Sequence, residues 1–290
     1  MSDIKFSKLT NRALLKLTGS EAQAFLQNLV SNDLSNLSSD KAVYTALLTP
    51  QGKFLFDFFV IDSGDALLID TDAGRAGELL KRLTMYKLRS DVSIEDFSAE
   101  YAVFAVYGGD APHPAIEGGI SAADPRLAAL GTRVYGPINL SQELSAKFSE
   151  APATEYETHR LSLGVPEGPS DIQVEKNFLL EANFEELNGV SFSKGCYIGQ
   201  ELTARTKYRA KIRKRLFQFT FDGDIEVGTP ITASDKEIAI VTSFQKPFGL
   251  AMTRLDAFAK AAEDGTTLQP KGLKLFKPNY VILPEPSAEE

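Results

Sequence analysis

The only cysteine of the chain, Cys196, lies in the segment KGCYIGQE (residues 194–201), between Gly195 and Gly199. Glycines let the backbone turn sharply and bring amide groups close to a ligand. A lysine beside the cysteine favours the thiolate, which is the reactive form of the thiol. Cys196 is therefore a candidate catalytic thiol, with Lys194 as its partner. The alternative, which composition alone favours, is a buried cysteine that packs as a small apolar residue, because free cysteine is among the most buried residue types.

Two carboxylates stand among apolar residues. Asp57, in FLFDFFV, shares a strand face with Leu55 and Phe59, and Glu181 stands in FLLEANFEEL. A carboxylate on an apolar face needs hydrogen-bond donors, which come either from the protein or from a ligand. Both residues are therefore candidates for ligand binding, and a purely structural role is the alternative for each.

Metal and nucleotide sites are not expected from this chain alone. The single cysteine and the two histidines, His113 and His159, form no group with the spacing of a zinc or iron–sulfur site. The sequence also has no P-loop and no G-x-G-x-x-G motif, so a nucleotide cofactor is not indicated.

Residues 205–215, RTKYRAKIRKR, contain seven lysines and arginines and no acid, in a chain whose net charge is −8. An acidic protein with one basic segment indicates a focused anion site or a docking edge rather than a general nucleic-acid surface. Cations occupy the odd positions from Arg205 to Arg215, and this period of two predicts a strand with one basic face. The alternative is an edge strand whose cations prevent pairing with other sheets.

The composition is that of an ordinary folded protein, and 290 residues predict two or three compact units. No apolar run approaches the roughly 18 to 20 residues that cross a bilayer, and the first residues lack the apolar core of a secretory signal. With one cysteine no internal disulfide forms, which favours a reducing compartment. These observations predict a cytoplasmic protein that does not interact with membranes.

The hydrophobic patterns predict an α+β fold with mostly antiparallel sheets. VYTALLT and KFLFDFFVID, separated by PQG, form a predicted hairpin, and a helical apolar stripe follows at residues 76–86. From residue 216 onward, short strands predict a small β-barrel: LFQFTF, EIAIVTSF, GLAMTRL and NYVILP. The predicted units are residues 1–100, a first αβ unit; 101–212, a second αβ unit that carries KGCYIGQE; and 213–290, the barrel with a short acidic tail.

The segment KGCYIGQE resembles the K-G-C-[FYW]-x-G-Q-E signature of the YgfZ-like, folate-binding family. The following LTARTKYRAKIRKRL and the upstream FLLEANFEELNGVSF and LGVPEG extend the resemblance, which covers most of residues 10–220. It implies a relative of the aminomethyltransferase (T protein) of the glycine cleavage system. That fold has two αβ units and a C-terminal β-barrel around a central channel for tetrahydrofolate, in agreement with the three predicted units.

The resemblance also implies roles for individual residues. Glu181 matches the glutamate that holds the pterin ring, and Cys196 matches the functional thiol. Asp57, Gln200 and Arg205 complete the predicted cofactor-binding set, for tetrahydrofolate or a one-carbon derivative. The implied function is to support assembly or repair of iron–sulfur enzymes, among them a tRNA methylthiolase, so that tRNA modification is affected indirectly.

Two alternatives remain open from the sequence. One is a folate-dependent one-carbon (aminomethyl-type) transferase, although Phe56 replaces one member of the aspartate pair typical of the aminomethyltransferases. The other is a non-catalytic module that binds tRNA or a client enzyme. A monomer is expected, with folate and iron–sulfur client enzymes or assembly proteins as partners. At residues 205–215 the expected partner is the polyglutamate tail of a folate, with tRNA as the alternative; the family's usual glycine after KYR is Ala210 here.

Overall fold

The computed structural model describes residues 4–109, 116–209 and 211–283. The strands in this part of the chain are β1 Lys5–Lys8, β2 Arg12–Thr18, β3 Val43–Leu48, β4 Phe54–Asp62, β5 Leu67–Asp72, β6 Ser93–Asp96, β7 Tyr101–Tyr107, β8 Ile120–Ala123, β9 Thr132–Pro137, β10 Ser149–Glu150, β11 Lys214–Thr220, β12 Pro230–Ala233, β13 Lys236–Gln245, β14 Phe248–Arg254, β15 Leu268–Gln269 and β16 Lys274–Phe276. The α-helices are α1 Ala22–Gln27, α2 Ala76–Lys87, α3 Ser141–Ser145, α4 Ala153–Ser162, α5 Gly168–Asp171, α6 Gln200–Tyr208 and α7 Leu255–Glu263.

The first sheet is antiparallel, with strand order β3-β4-β5-β2-β6. It is buried on both faces, and β4 shows this most clearly. Phe58 and Val60 pack with α1 and α2 in one core, whereas Phe59 and Ile61 pack in a second core shared with other parts of the chain. A polar residue within such a strand therefore points into a protein interior.

The second sheet has the order β10-β1-β7-β9-β8. Strand β1 pairs antiparallel with β7 and parallel with β10, so residues 5–8 lie in the second sheet and not in the first. Helix α4 packs against β1. The predicted unit boundaries at residues 100 and 212 remain predictions.

The third sheet, with the order β15-β12-β13-β14-β11-β16, forms a nearly closed six-stranded barrel. Phe217 and Phe219 of β11 lie in its core, and α7 packs against β13 and β14. The predicted α+β fold with a C-terminal barrel is confirmed. The predicted strand at NYVILP does not form in the described residues 279–283, where Tyr280 instead donates a hydrogen bond to the Gly164 carbonyl at 2.6 Å.

The predicted basic strand at 205–215 is wrong. Helix α6 continues through Arg205 to Tyr208, residues 211–213 are irregular, and β11 begins only at Lys214. Lysine and arginine are good helix formers, and lysine is depleted in strands, so local propensity prevails over the period-two pattern. The cations are therefore distributed around the end of a helix and the segment after it.

No helix among residues 4–109, 116–209 and 211–283 has the length and hydrophobicity needed to cross a membrane. His113, Ala210 and the predicted acidic tail from residue 284 lie outside these ranges.

Candidate thiol site and adjoining cavity

Cys196 is exposed in the loop before α6. Two neighbouring side chains in this loop face inward, because Lys194 and Tyr197 are both buried. The interpretation of Cys196 as a packed core residue is therefore wrong. The loop holds the thiol at the surface on a backbone that is anchored before and after it.

The anchor before the cysteine is Lys194. Its ammonium donates to three backbone carbonyls at and after the end of α1, at 2.7 Å to Gln27, 2.7 Å to Val30 and 2.8 Å to Asn32. Burial lowers the pKa of Lys194 to about 8, and the nearby Asp33 carboxylate opposes that shift. An ammonium group has three N–H donors, and these carbonyls use all of them. Lys194 thus fixes the position of the loop, and its role as partner of the Cys196 thiol remains a prediction.

The anchor after the cysteine is Gly199, which precedes α6 in the left-handed region at φ 82°. A Cβ at this position would lie 2.7 Å from the Thr49 carbonyl oxygen and 2.9 Å from the Gly52 Cα, in the turn between β3 and β4. The second glycine of the motif is therefore needed for close contact between two backbone segments. By contrast, no atom lies within 4 Å of a Cβ added to Gly195.

We expect Gly199→Ala to destabilise the protein by about 1–3 kcal/mol, because alanine is strained at a crowded, left-handed position. Gly195→Ala is the matched control from the same loop, and its stability should stay within about 0.5 kcal/mol of wild type. Urea unfolding of both variants provides the measurement. Equal losses in the two variants would show that contact with the β3–β4 turn does not hold the loop.

Asp57 is buried in the middle of β4, and protein donors reach its carboxylate. Its Oδ2 accepts hydrogen bonds from the Tyr44 hydroxyl at 2.9 Å and from the Gly168 amide at 3.1 Å. Burial raises the pKa of Asp57, although Arg12 and the Tyr44 hydrogen bond oppose the shift. Hydrogen bonds within the protein therefore account for the buried carboxylate of Asp57, as its structural interpretation requires. Cofactor binding by Asp57 remains a prediction.

A network of buried ion pairs surrounds Asp57, and the sequence did not reveal it. The Asp70 carboxylate receives the Arg12 Nε at 2.6 Å and the Arg133 Nη1 at 2.7 Å. Further ion pairs join Arg126 and Arg133 to Asp124, Arg160 to Asp171, and the three arginines Arg12, Arg133 and Arg160 to Glu167. Its residues come from the first sheet, from β9 and the segment before it, from α4 and from the segment around α5, so the network joins these parts of the fold.

Two acids of this network, Asp124 and Glu167, stay ionised in the folded protein. Burial opposes the ionisation of Asp124, but Arg126 and Arg133 outweigh it and lower the pKa to about 2. The pKa of Glu167 is lowered to about 2 in the same way, chiefly by Arg12. Since both folded-state values lie below ordinary carboxyl values, the stability that these pairs contribute is present above about pH 4.5 and is lost as the pH falls towards 2.

Glu181 lies in the 3-10 helix Leu179–Ala182, which packs against α6. Its Oε2 accepts hydrogen bonds from the Phe178 amide at 2.9 Å and from the Asn177 side chain at 3.3 Å, so the carboxylate caps its own helix. Pterin binding by Glu181 remains a prediction.

The other two predicted cofactor ligands lie on α6. Gln200 is its first residue, with its side-chain amide 3.4 Å from the Gly195 carbonyl, and Arg205 is exposed more than one turn further on. Roles for both residues in cofactor binding remain predictions.

A cavity of about 660 Å³ adjoins the Cys196 loop. Its walls come from the segment after α1, from β3, from the end of β8 and from the loop itself, and the lining side chains include Asn32, Asp33, Tyr44, Ala123, Ser191, Phe192 and Ser193. Pockets of 300–1,000 Å³ with a few polar groups are typical of small-molecule sites. Asp57, Glu181, Gln200 and Arg205 are not among the described residues that line it.

The cavity and the ion-pair network are the features that sequence reasoning missed. The available signal was a charged residue of either sign within an otherwise apolar strand, such as Asp70 in β5 and Arg133 in β9. Within the described ranges, no group of three or more histidine, cysteine, aspartate or glutamate side chains is arranged to hold a metal ion.

Comparison with known families matches two parts of the chain. Residues 8–114 match the GCVT N-terminal domain, and residues 213–281 match the CAF17 C-terminal β-barrel domain. The fold is similar to that of the glycine cleavage system aminomethyltransferase T from Bartonella henselae. That likeness has a TM-score of 0.70 at 13% identity and covers 88% of this chain and 79% of the other.

Curated relatives are similar over most of the chain. It is 32% identical to the iron–sulfur cluster assembly factor IBA57 homolog of Mycosarcoma maydis, over 90% of this chain and 68% of the relative. It is 33% identical to human IBA57, over 84% of this chain and 76% of the relative. Across the relatives compared, the chain spans between 52% and 76% of their length.

These relatives are named as mitochondrial proteins, and this finding overturns the predicted cytoplasmic location. The prediction rested largely on the lone cysteine. A free thiol persists in any reducing compartment, so it does not single out the cytoplasm.

Proposed function

Because this chain belongs to the IBA57 family of iron–sulfur cluster assembly factors, we propose that it supports the assembly or repair of iron–sulfur enzymes through Cys196, with tetrahydrofolate as its cofactor. The YgfZ-like proteins suggested by the signature are a related kind. The observation that carries the proposal is the exposed thiol on a loop that Lys194 and Gly199 anchor and whose first residues line a cavity.

The role proposed for Cys196 follows from thiol chemistry. Thiolates are the usual protein ligands of iron–sulfur clusters, and a single thiolate supplies one ligand of the set that a cluster needs. The remaining ligands must come from a client enzyme, an assembly protein or a small thiol. An exposed cysteine on a firmly held loop is suited to such a shared site, because the partner can reach it without unfolding the loop.

The cavity supports the folate proposal by its size and by its polar groups. Asp33, whose pKa is lowered by the Ser35 backbone hydrogen bond, offers an ionised carboxylate to the N–H groups of a pterin. Asn32 adds an amide, and Tyr44 and Phe192 add aromatic surface. When bound, tetrahydrofolate would supply one-carbon or reducing chemistry. The chain's own residues would hold it beside the loop that carries Cys196.

Aminomethyl transfer is the less favoured function. Phe56 stands in place of one aspartate of the transferase pair, and the remaining Asp57 carboxylate is buried against Tyr44 and Gly168. We further propose that the chain acts in mitochondria, as the names of its relatives suggest. The indirect effect on tRNA modification and the monomeric state remain predictions.

Folate binding is tested by calorimetry with tetrahydrofolate and three variants. Ala123→Trp places a large side chain in the space that the ligand would occupy. Binding should weaken by roughly 5- to 150-fold, because overpacking of this kind costs about 1–3 kcal/mol. Ala128→Trp, on a neighbouring exposed position outside the cavity, is the matched control and should bind as wild type does.

The third variant, Glu181→Gln, distinguishes the two placements of the pterin. It keeps an acceptor for the Phe178 amide, so its fold should be retained. Unchanged affinity is expected if folate occupies the cavity. A loss of about 1.5–3 kcal/mol, with Ala123→Trp unaffected, would instead place the pterin at Glu181. Absence of binding to wild type would contradict the folate proposal as a whole.

The assembly function itself is tested in cells. Deleting the chain should lower the activities of iron–sulfur enzymes, and the wild-type chain should restore them. Unchanged activities in the deletion strain would contradict the proposal. Catalytic turnover of methylene-tetrahydrofolate by the purified protein would favour the transferase alternative.

A further inference from the structure

We propose that the exposed cations around and after the end of α6 bind the γ-linked polyglutamate tail of a folate whose ring occupies the cavity. These residues, called here the α6 basic surface, are Arg205, Arg209, Lys211, Arg213 and Lys214. The inference rests on the proposed folate binding and extends it to the part of the ligand that a pterin pocket cannot recognise.

The α6 basic surface is available for an anion. All five side chains are exposed, and within the described residues none of them forms an ion pair with a carboxylate of this chain. The two other cations of the segment differ: Lys207 pairs with Glu185, and Arg215 is buried and pairs with Glu186. The chain thus satisfies two cations internally and leaves the other five at the surface.

The α6 basic surface adjoins the cavity through two aromatic rings. Phe192 lines the cavity, and its ring packs edge-on against the Tyr208 ring at the end of α6, with ring centroids 5.9 Å apart. The Lys207 ammonium lies 5.6 Å from the centroid of the same Phe192 ring. A ligand that leaves the cavity past Phe192 therefore meets Tyr208 at the end of α6, next to Arg209 in the chain.

Structural explanations account for only part of this surface. Cations near the C-terminal end of a helix are stabilised by the helix dipole, which explains Arg205 and Arg209. Lys211 and Arg213 lie beyond the helix, where that effect has faded. Protection of a sheet edge does not apply to residues 205–213, because none of those that the structure describes lies in a strand.

The chemistry of the surface fits a short, flexible polyanion. Each glutamate of the tail adds one carboxylate, and a tail of a few residues matches five cations that lie along the end of a helix and a short irregular segment. A chain with net charge −8 would repel a long nucleic acid over most of its surface. Charges more than about 8 Å apart are screened at physiological salt, so the attraction acts only near the α6 basic surface.

The test compares mono- and pentaglutamyl tetrahydrofolate by calorimetry at low and physiological salt. The variant carries Arg209→Gln, Lys211→Gln and Arg213→Gln. The control carries Lys236→Gln, Lys260→Gln and Lys274→Gln, which remove the same charge from exposed positions of the barrel unit. Wild type and control should bind the pentaglutamate roughly 3- to 150-fold more tightly, as three exposed ion pairs would give, and salt should reduce this advantage. The variant should lose the advantage and keep its affinity for the monoglutamate.

Each other outcome has a definite meaning. Equal binding of the two folates by wild type would overturn this inference and leave the folate proposal standing. Failure of both folates to bind would overturn the folate proposal and, with it, this inference. No preference for the pentaglutamate, together with salt-dependent tRNA binding that the variant loses, would assign the surface to RNA instead.

Discussion

Cys196→Ser should reduce iron–sulfur enzyme activities to the level of cells that lack the chain. The free energy of unfolding of the purified variant should stay within about 0.5 kcal/mol of the wild-type value. The side chain is exposed and its hydroxyl replacement fits the same space, so no packing is lost. A hydroxyl is a poor ligand for iron compared with a thiolate, and the proposed shared site would lose the ligand that this chain supplies. Enzyme activities in a complemented deletion strain provide the measurement, with protein levels checked in the same cells.

A second variant asks whether the position of the thiol matters. Cys196→Ser combined with Ala262→Cys moves the only thiol to an exposed position on α7. We expect it to fail as Cys196→Ser does, because the new thiol lies on the barrel unit and away from the anchored loop. Full activity of Cys196→Ser would contradict the thiol role, and activity of the double variant alone would show that any surface thiol suffices.

Asp70→Asn should lower the free energy of unfolding by about 3–5 kcal/mol. Its carboxylate is fully buried and receives both Arg12 and Arg133, with the Tyr135 hydroxyl 3.2 Å away. An amide removes the negative charge that both arginines share, so Arg12 keeps only Glu167 and Arg133 keeps only Asp124 and Glu167 as acidic partners in the interior. Urea denaturation, with the m-value compared between wild type and variant, gives the loss directly.

Asp57→Asn is the matched control from the neighbouring strand. Asp57 is similarly buried, but among the described residues it takes part in no ion pair, and burial raises its pKa. The amide keeps an acceptor for Tyr44 and Gly168, so we expect a loss of about 1 kcal/mol or less. Equal losses in Asp57→Asn and Asp70→Asn would show that Asp57 carries a charge that the arginines of the network compensate.

The fold could be predicted from the sequence because its strands carry their own signals. The hairpin at 43–62 has apolar, β-branched and aromatic runs around a Pro-Gln-Gly turn, and these properties are local. The thiol loop was also predictable, because the motif KGCYIGQE is contiguous. The contacts that anchor this loop could not be predicted, since Lys194 donates to carbonyls more than 160 residues away along the chain.

The ion-pair network and the basic segment show where sequence reasoning fails, and for different reasons. Arg12, Asp70 and Arg133 are far apart in the sequence, and only the pairing of strands brings their charges together. The strand predicted at 205–215 was wrong because the alternation of cations was taken as a strand pattern without weighing the helix propensity of the same residues. Six of the nine residues in Gln200–Tyr208 favour a helix, and this preference overrides a pattern that only the cations follow.

The placement of β1 in the second sheet determines the order in which the protein can be completed during synthesis. Residues 5–8 leave the ribosome long before Tyr101–Tyr107, the strand that pairs with them, and at about 5–20 residues per second this delay is roughly 5 to 20 s. By the end of that time residues 12–96 are available to form the first sheet, while Phe6 and the backbone of β1 still have no native partner. Strand β1 therefore stays unpaired until the second unit closes around it from both sides, β7 first and β10 afterwards.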